Sequence, residues 1–543
     1  MVVVETLHAT SLRAETPPRV LITVDAPTAA ARTALVAKGY DVWSATLEGV
    51  TLAVPPAEVR RLQSQGYKVQ QVEAVPLVFP PNFSGYHDYA ETVTELQGLA
   101  ARYPDVTRLQ SIGKSVEGRD LWALRITDHP RDPNEPGEKG ILIYAGTHAR
   151  EHLTVEQALF VAHDLLDNYG HEGEATNLVN QRDIWILPNL NPDGSEHDIA
   201  SGNLIWWRKN RRNNGDGTLG VDLNRNFGYK WGAPDGSSGA TSSETYRGPQ
   251  SFSEPENQAL RDFVTAHDNI KVSISLHTYG ELVLYPYGYT YADLPPDMKP
   301  ADLAIFKALA GAMATRNGYA AQQASDLYIV SGDHDDWFYG VRGIYAMTME
   351  MYPTSSSPFG FYPPDSVIAP QTARNRTALR YSIAMADDPA KSTGLGKDMT
   401  PPTVQILTPG DGATVTADTA VSVTVAVSDT VGVTTVEYLV DGQPVAVRTA
   451  PDFAAALTLA PGDHVLEARA FDNAHWQTHV AVSVRAVMEA ATPTPTTTPS
   501  PTATPTATVI PSRLYLPLLR ATTAEDGGQK TENRGQRTED RGQ

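Results

Sequence analysis

Apolar and polar positions follow three different rhythms along the 543-residue chain. In the first stretch, strand-like runs at Val20–Val24, Asp41–Ser44, Thr51–Val54 and Tyr67–Val72 interleave with helical runs at Thr28–Lys38 and Pro56–Gln65. That βαββαβ order predicts a small ferredoxin-like α+β module over residues 19–77. From 78 to 388, apolar runs such as Ile141–Gly146 and Ser273–His277 alternate with longer stretches of helical period. After the first of these runs, Val155, Leu159, Ala162, Leu165 and Leu166 recur at helical spacing from Leu153, and Gly170 supplies a stop. The pattern predicts an α/β domain, a mixed and mostly parallel sheet flanked by helices, with chemistry at the carboxyl ends of its strands.

Beyond a linker at 389–400 the period changes to two. Val421, Val423, Val425 and Val427 alternate with Ser422, Thr424 and Ala426, and Asp441-Gly442 is a hairpin signal. With further runs at Val436–Val440, Val465–Ala470 and Val480–Val484, residues 401–488 read as an all-β immunoglobulin-like sandwich. Residues 489–511 form a Thr/Pro-rich stalk, and 1–18 and 512–543 read as disordered ends. The apolar island Arg513–Leu519 reads equally as a surface-attachment signal or as chance hydrophobicity.

Composition narrows the chemistry. A formal charge of −20 and a pI of about 5.1 exclude the basic footprint of a nucleic-acid binder. Without cysteine there is no disulfide framework, thiolate metal site or cysteine nucleophile, so any metal ligands must be His and carboxylate. No apolar run approaches the ~20 residues of a membrane span. Residues 1–18 carry Glu5, Arg13 and Glu15 and no apolar core of ~7–15 residues, so they do not read as a signal peptide. The remainder reads as a secreted or cell-surface protein, and the expectation is a leader upstream of Met1.

The densest chemical signal is His148-Ala149-Arg150-Glu151, a His-x-x-Glu loop that follows a strand run and opens a helix. Catalytic zinc takes three protein ligands and keeps one position open, and His277 at the end of Ser273–His277 is a third candidate. His152 offers an alternative ligand four residues after His148. Taken singly, each of these side chains reads as easily as a buried, hydrogen-bonded residue.

More motifs follow in order: Pro188–Gly194, Trp207–Arg211, Gly220–Asn226, His277-Thr278-Tyr279 with Leu284–Gly288, Tyr328–Gly332 leading into Asp335-Asp336-Trp337, and Thr348–Tyr352. Together with the His148 loop, they make residues from about Gly85 to about Asp388 resemble the zinc metallocarboxypeptidase family. Its bacterial carboxypeptidase T-like members are resembled most, through Thr147–Thr154 and Glu350–Thr354. The resemblance implies an exopeptidase acting on peptide and protein C-termini, with one zinc ion on His148, Glu151 and His277. It implies Glu350 as general base and Arg208 as oxyanion stabiliser, where the bland readings are a surface glutamate and a solvated basic loop. Asn224, Arg225 and Tyr328 would hold the terminal carboxylate, which suits a planar guanidinium. Arg150 would lie near the substrate path and Tyr279 would line a subsite. Asp333 and Asp335 would face the departing side chain, giving a basic or dual basic/apolar preference.

The same resemblance implies that the first module is an inhibitory propeptide; a retained docking or folding module is the alternative. Calcium is a second ion that carboxypeptidase T-like enzymes bind, and the acidic loop 132–138 offers ligands for it, though such loops are commonly just solvated. Two other functional readings compete: a related zinc amidohydrolase acting on cell-wall peptides or acyl-amino acids, and a non-catalytic adhesion protein.

Overall fold

The computed structural model describes residues 19–75, 79, 83–131, 138–354, 360–394, 400–450, 452–473 and 476–488. The expected ends 1–18 and 489–543, and the acidic loop except Glu138, lie outside the described residues.

The first module pairs β1 (Val20–Asp25), β2 (Asp41–Ala45), β3 (Gly49–Val54) and β4 (Val69–Ala74) antiparallel in the order β2-β3-β1-β4. Helices Ala29–Val36 and Pro56–Ser64 cross over it, which is the ferredoxin-like arrangement. Thr28 starts the first helix by accepting a hydrogen bond from the Ala31 amide, and a proline at the first position starts the second. Ile22 and Val24 alternate inward along β1 and meet Leu35, Val50, Leu52 and Leu62 in one small core.

The second domain is built on eight strands: β5 (Thr107–Lys114), β6 (Asp120–Ile126), β7 (Lys139–Tyr144), β8 (Arg182–Leu187), β9 (Ile270–Thr278), β10 (Leu282–Tyr285), β11 (Ala320–Gln323) and β12 (Tyr345–Met351). They lie in the order β11-β10-β12-β9-β7-β8-β6-β5, and the central β12-β9-β7-β8 pairings are parallel. Parallel strands need both faces covered, which is why Ile141, Leu142 and Ile143 form an unbroken apolar run. Ile141 and Ile143 pack with Leu159 and Leu165 of helix Leu153–Asp167 on one face. Leu142 and Tyr144 pack with Phe263 and Phe338 of helices Pro255–Ala266 and His334–Arg342 on the other. This sheet order sets the carboxyl ends of β7, β9 and β12 side by side.

The third domain is a sandwich of eight strands: β13 (Thr403–Thr408), β14 (Ala413–Thr416), β15 (Ala420–Ser428), β16 (Val433–Val440), β17 (Gln443–Thr449), β18 (Ala455–Thr458), β19 (Gly462–Asp472) and β20 (Gln477–Val487). One sheet runs β13-β15-β18 and the other β14-β20-β19-β16-β17, closed over Val421, Val423, Val436, Tyr438, Leu466 and Ala468. It docks on the α/β domain. The Arg316 guanidinium lies 4.0 Å from the Tyr381 ring and 4.1 Å from that of Trp476, and the Gly173 amide donates to Glu437. No helix among the described residues is long and apolar enough to cross a membrane.

Candidate active site

After β7 the chain turns sharply at Gly146, which has φ +65°; a Cβ there would come within 2.6 Å of Asn189 Oδ1. That turn delivers His148 and Glu151 to the edge of the sheet, beside His277 on β9. His148 Nδ1 lies 2.8 Å from Glu151 Oε1, and His277 Nδ1 lies 3.1 Å from both His148 Nδ1 and Glu151 Oε2. All three side chains are buried. Arg208 also approaches His148 Nδ1, at 3.3 Å, so that atom faces a donor on one side and the Glu151 carboxylate on the other. The opposite nitrogen, Nε2, is 3.3 Å from Asp222 Oδ1. Burial and the Arg208 guanidinium push the His148 imidazole below its ordinary value, consistent with a neutral ring. Burial works against charge on Glu151, yet the two imidazoles hold its carboxyl well below the usual range.

Zinc–ligand bonds of ~2.0–2.1 Å in a tetrahedron put neighbouring ligand atoms about 3.3 Å apart. Two ring nitrogens and a carboxylate converging at 2.8–3.1 Å fit such an ion. His152 stands apart from this cluster, with Nε2 3.0 Å from Asp198 Oδ2.

Glu350 lies within β12, which pairs with β9 as far as Met351 opposite Thr278. In that register Glu350 is the direct neighbour of His277. Burial raises its carboxyl to about 7; Glu151 and Asp335 add to this, while His277 and Arg208 oppose it. Arg208 is pinned by Asp222, whose Oδ2 accepts from Nε at 3.2 Å and from a terminal nitrogen at 2.9 Å.

Asp222 also opens the short turn Leu223–Arg225 by accepting from the Asn224 amide at 2.9 Å. Arg225 is buried. One terminal nitrogen donates to the Asn224 carbonyl at 2.7 Å and lies 3.9 Å from Asp222, while Nε has no hydrogen-bond partner. Asn224, Arg225, Tyr328, Asp333, Asp335 and Tyr279 line the same cavity as His148, Glu151, Arg208 and Glu350.

The two acids at the far end are not equivalent. Asp333 caps helix His334–Arg342 by accepting from the Asp336 amide at 2.9 Å, and burial followed by Asp335 raises its carboxyl to about 7. Asp335 accepts from Thr348 Oγ1 at 2.7 Å through Oδ2, while its buried Oδ1 has no hydrogen bond. Tyr279 packs its ring 4.9 Å from Phe361.

The first module covers this cavity. Val42, Trp43, Ser44 and Ala45 of β2 form part of its wall. Arg150 is fully buried, and its terminal nitrogens donate to Asp41 at 2.9 and 3.2 Å. Arg32 donates to the Leu327 carbonyl at 2.6 Å, and Thr33 Oγ1 accepts from the Ile329 amide at 2.9 Å, so helix Ala29–Val36 grips the segment that carries Tyr328.

Among the residues in or beside this cavity to which the sequence motifs gave no role are Asp41, Asp222, His334 and Thr348. Asp222 sits within Gly220–Asn226, and an acid preceding Asn-Arg was a usable signal. The other three are recognisable only through their partners.

A mixed α/β sheet with parallel central strands, a His/Glu/His cluster at their carboxyl ends, and a carboxylate and a guanidinium beside it defines a metal-centred hydrolase. The family described as zinc carboxypeptidase matches residues 92–378, and that described as bacterial Ig domain matches 402–468. This chain belongs to the zinc carboxypeptidase family. It is 41% identical over 408 residues to a zinc carboxypeptidase of Saccharothrix mutabilis subsp. capreolus, covering 70% of this chain and 93% of that protein. With carboxypeptidase B of Astacus astacus it shares 32% over 296 residues, covering 53% and 93%. The solved structure of carboxypeptidase A from Helicoverpa armigera matches with a TM-score of 0.58 at 26% identity, covering 69% of this chain and 98% of that one.

Proposed function

We propose that this chain is the latent form of an exported zinc carboxypeptidase that removes C-terminal residues from peptides, preferring Arg and Lys and also accepting apolar side chains. The observation that carries this reading is the buried Arg225, whose Nε lacks a partner and which shares a cavity with His148 and Glu151 of the metal-ligand cluster. A buried guanidinium with donors to spare suits a two-pronged anion, and a peptide's terminal carboxylate is one. Asn224 and Tyr328 would complete its binding, leaving the scissile carbonyl near the cluster.

His148, Glu151 and His277 would hold a zinc ion, whose chemistry would be to acidify a water and polarise a carbonyl. Glu350 would accept a proton on its carboxylate and return it to the leaving amine, a task suited to a carboxyl raised toward neutrality. Arg208, held by Asp222, donates to the oxygen where negative charge develops. Asp222 also stands 3.3 Å from His148 Nε2, where an outer acid commonly supports a ligating histidine. Asp335 Oδ1 supplies the negative end for a substrate Lys or Arg. Arg150 belongs to the approach to the cleft and Tyr279 to its wall, both covered by the first module, which acts as the inhibitory segment.

The test is hydrolysis by the proteolytically trimmed chain of one peptide ending in free Arg and of its amidated twin. Cleavage of the free form alone, lost to a chelator and restored by zinc, is expected. Equal cleavage of both would favour the amidohydrolase reading, and cleavage of neither the adhesion reading.

A further inference from the structure

His334 lies between two parts of the cleft that sequence motifs treat separately. Its backbone amide donates to Asn224 Oδ1 at 3.2 Å, and its Nδ1 lies 3.0 Å from the same oxygen. A backbone N–H can only donate, so the Asn224 atom facing it is the oxygen, and the nearby Nδ1 must carry the hydrogen. Both contacts consume Asn224 Oδ1 and leave Nδ2 turned away from the imidazole. The other ring nitrogen, Nε2, stands 2.7 Å from Asp335 Oδ1, off the line of a hydrogen bond, while Asp335 Oδ2 is occupied by Thr348. The ring is held in place: it is 1% exposed, stacks on His277 at 6.0 Å and 23°, and meets Tyr144 edge-on at 5.4 Å.

We propose that His334 is the positioning residue that couples recognition of the substrate's terminal carboxylate to recognition of its side chain. Through Nδ1 it orients Asn224 so that the amide faces the terminal carboxylate. Nε2, left with a lone pair once Nδ1 holds the ring hydrogen, stands beside the one Asp335 oxygen that has no hydrogen bond, so a substrate guanidinium or ammonium can donate to both. The second acceptor adds to the preference for a basic residue, because an apolar side chain leaves both acceptors without a donor. This inference rests on the peptidase reading above.

Two substitutions separate the arms, because an Asn side chain reaches the position of Nδ1 and a Gln side chain that of Nε2. Each is assayed in the trimmed, zinc-loaded enzyme on peptides ending in Arg and in Phe, with zinc content and thermal unfolding measured alongside. His334→Asn should hold KM for the Phe peptide within about twofold, since the donor to Asn224 survives, and should lower the Arg-to-Phe ratio of kcat/KM about fivefold or more, since one of the two acceptors for the substrate cation is gone. His334→Gln should raise KM about tenfold for both peptides at little-changed kcat, with the ratio nearly constant, because a bond orienting the carboxylate site is lost. Identical behaviour of the two variants, or an unchanged ratio in His334→Asn, would overturn the proposal. Loss of zinc or of the folded state in both would do the same, marking His334 as a core residue. If the parent enzyme cleaves neither peptide, the peptidase reading fails instead.

Discussion

Asp41→Ala in the untrimmed chain tests the proposed latency most directly. Asp41 is buried and accepts two bonds from Arg150, at 2.9 and 3.2 Å, one from Arg19 at 3.0 Å and one from Trp43 Nε1 at 3.1 Å. The last two lie within the module, so only the Arg150 pair bears on docking. Removing one member of a buried ion pair costs about 3–5 kcal/mol, because the survivor is left buried and uncompensated. Arg150 is fully buried while the module is docked but regains water when the module leaves, so the cost falls on the docked state. At a factor of ten per ~1.4 kcal/mol, the docking equilibrium should fall by roughly 10² to 4 × 10³-fold. Hydrolysis of an Arg-terminated peptide by the uncleaved variant should rise by that factor, or reach the ceiling set by the trimmed enzyme. The trimmed parent and trimmed variant should be indistinguishable. Arg150 and Arg19 hold the Asp41 carboxyl down to about 2 against the effect of burial, whereas a free aspartate titrates near ~3.9. The pair therefore contributes fully above that free value and is lost only as pH falls through about 2, so the parent should stay latent at pH 5. A folded, uncleaved Asp41→Ala chain as silent as the parent would refute the reasoning.

Glu350→Gln should keep its zinc and lose about 10²–10⁴-fold in kcat, since the amide cannot take the water's proton; near-normal turnover would move the base elsewhere. Asp222→Asn should weaken zinc binding about 10–100-fold in a competitive chelator titration, because His148 loses the carboxylate beside its outer nitrogen and Arg208 loses a charged acceptor. An unchanged zinc affinity would leave Asp222 as a turn residue only. Asp335→Ile should shift the Arg-to-Phe ratio of kcat/KM toward Phe by at least about tenfold, equivalent to ~1.4 kcal/mol, and a constant ratio would show that this acid does not read the side chain.

Much of the architecture can be read from the chain alone. A period of two in Val421–Val427, a helical period in Val155–Leu166 and the unbroken apolar run at Ile141–Ile143 each report how many faces of an element are buried, which is what sets the fold class. The loop carrying His148 and Glu151 was equally visible, because its two polar side chains are three residues apart. What periodicity cannot report is which buried face meets which. His277 is 129 residues beyond His148 and reaches it because β9 pairs with β7, and Glu350 flanks His277 through the parallel register of β12. The Asp41–Arg150 pair spans two domains, and His334 bridges Asn224 and Asp335 only because helix His334–Arg342 packs beside the turn at Asn224. Hydrophobic burial is non-directional and patterned locally, so it survives in the sequence. Ligand and hydrogen-bond geometry is directional, and it exists only once sheet order and register have brought distant residues within a few ångströms.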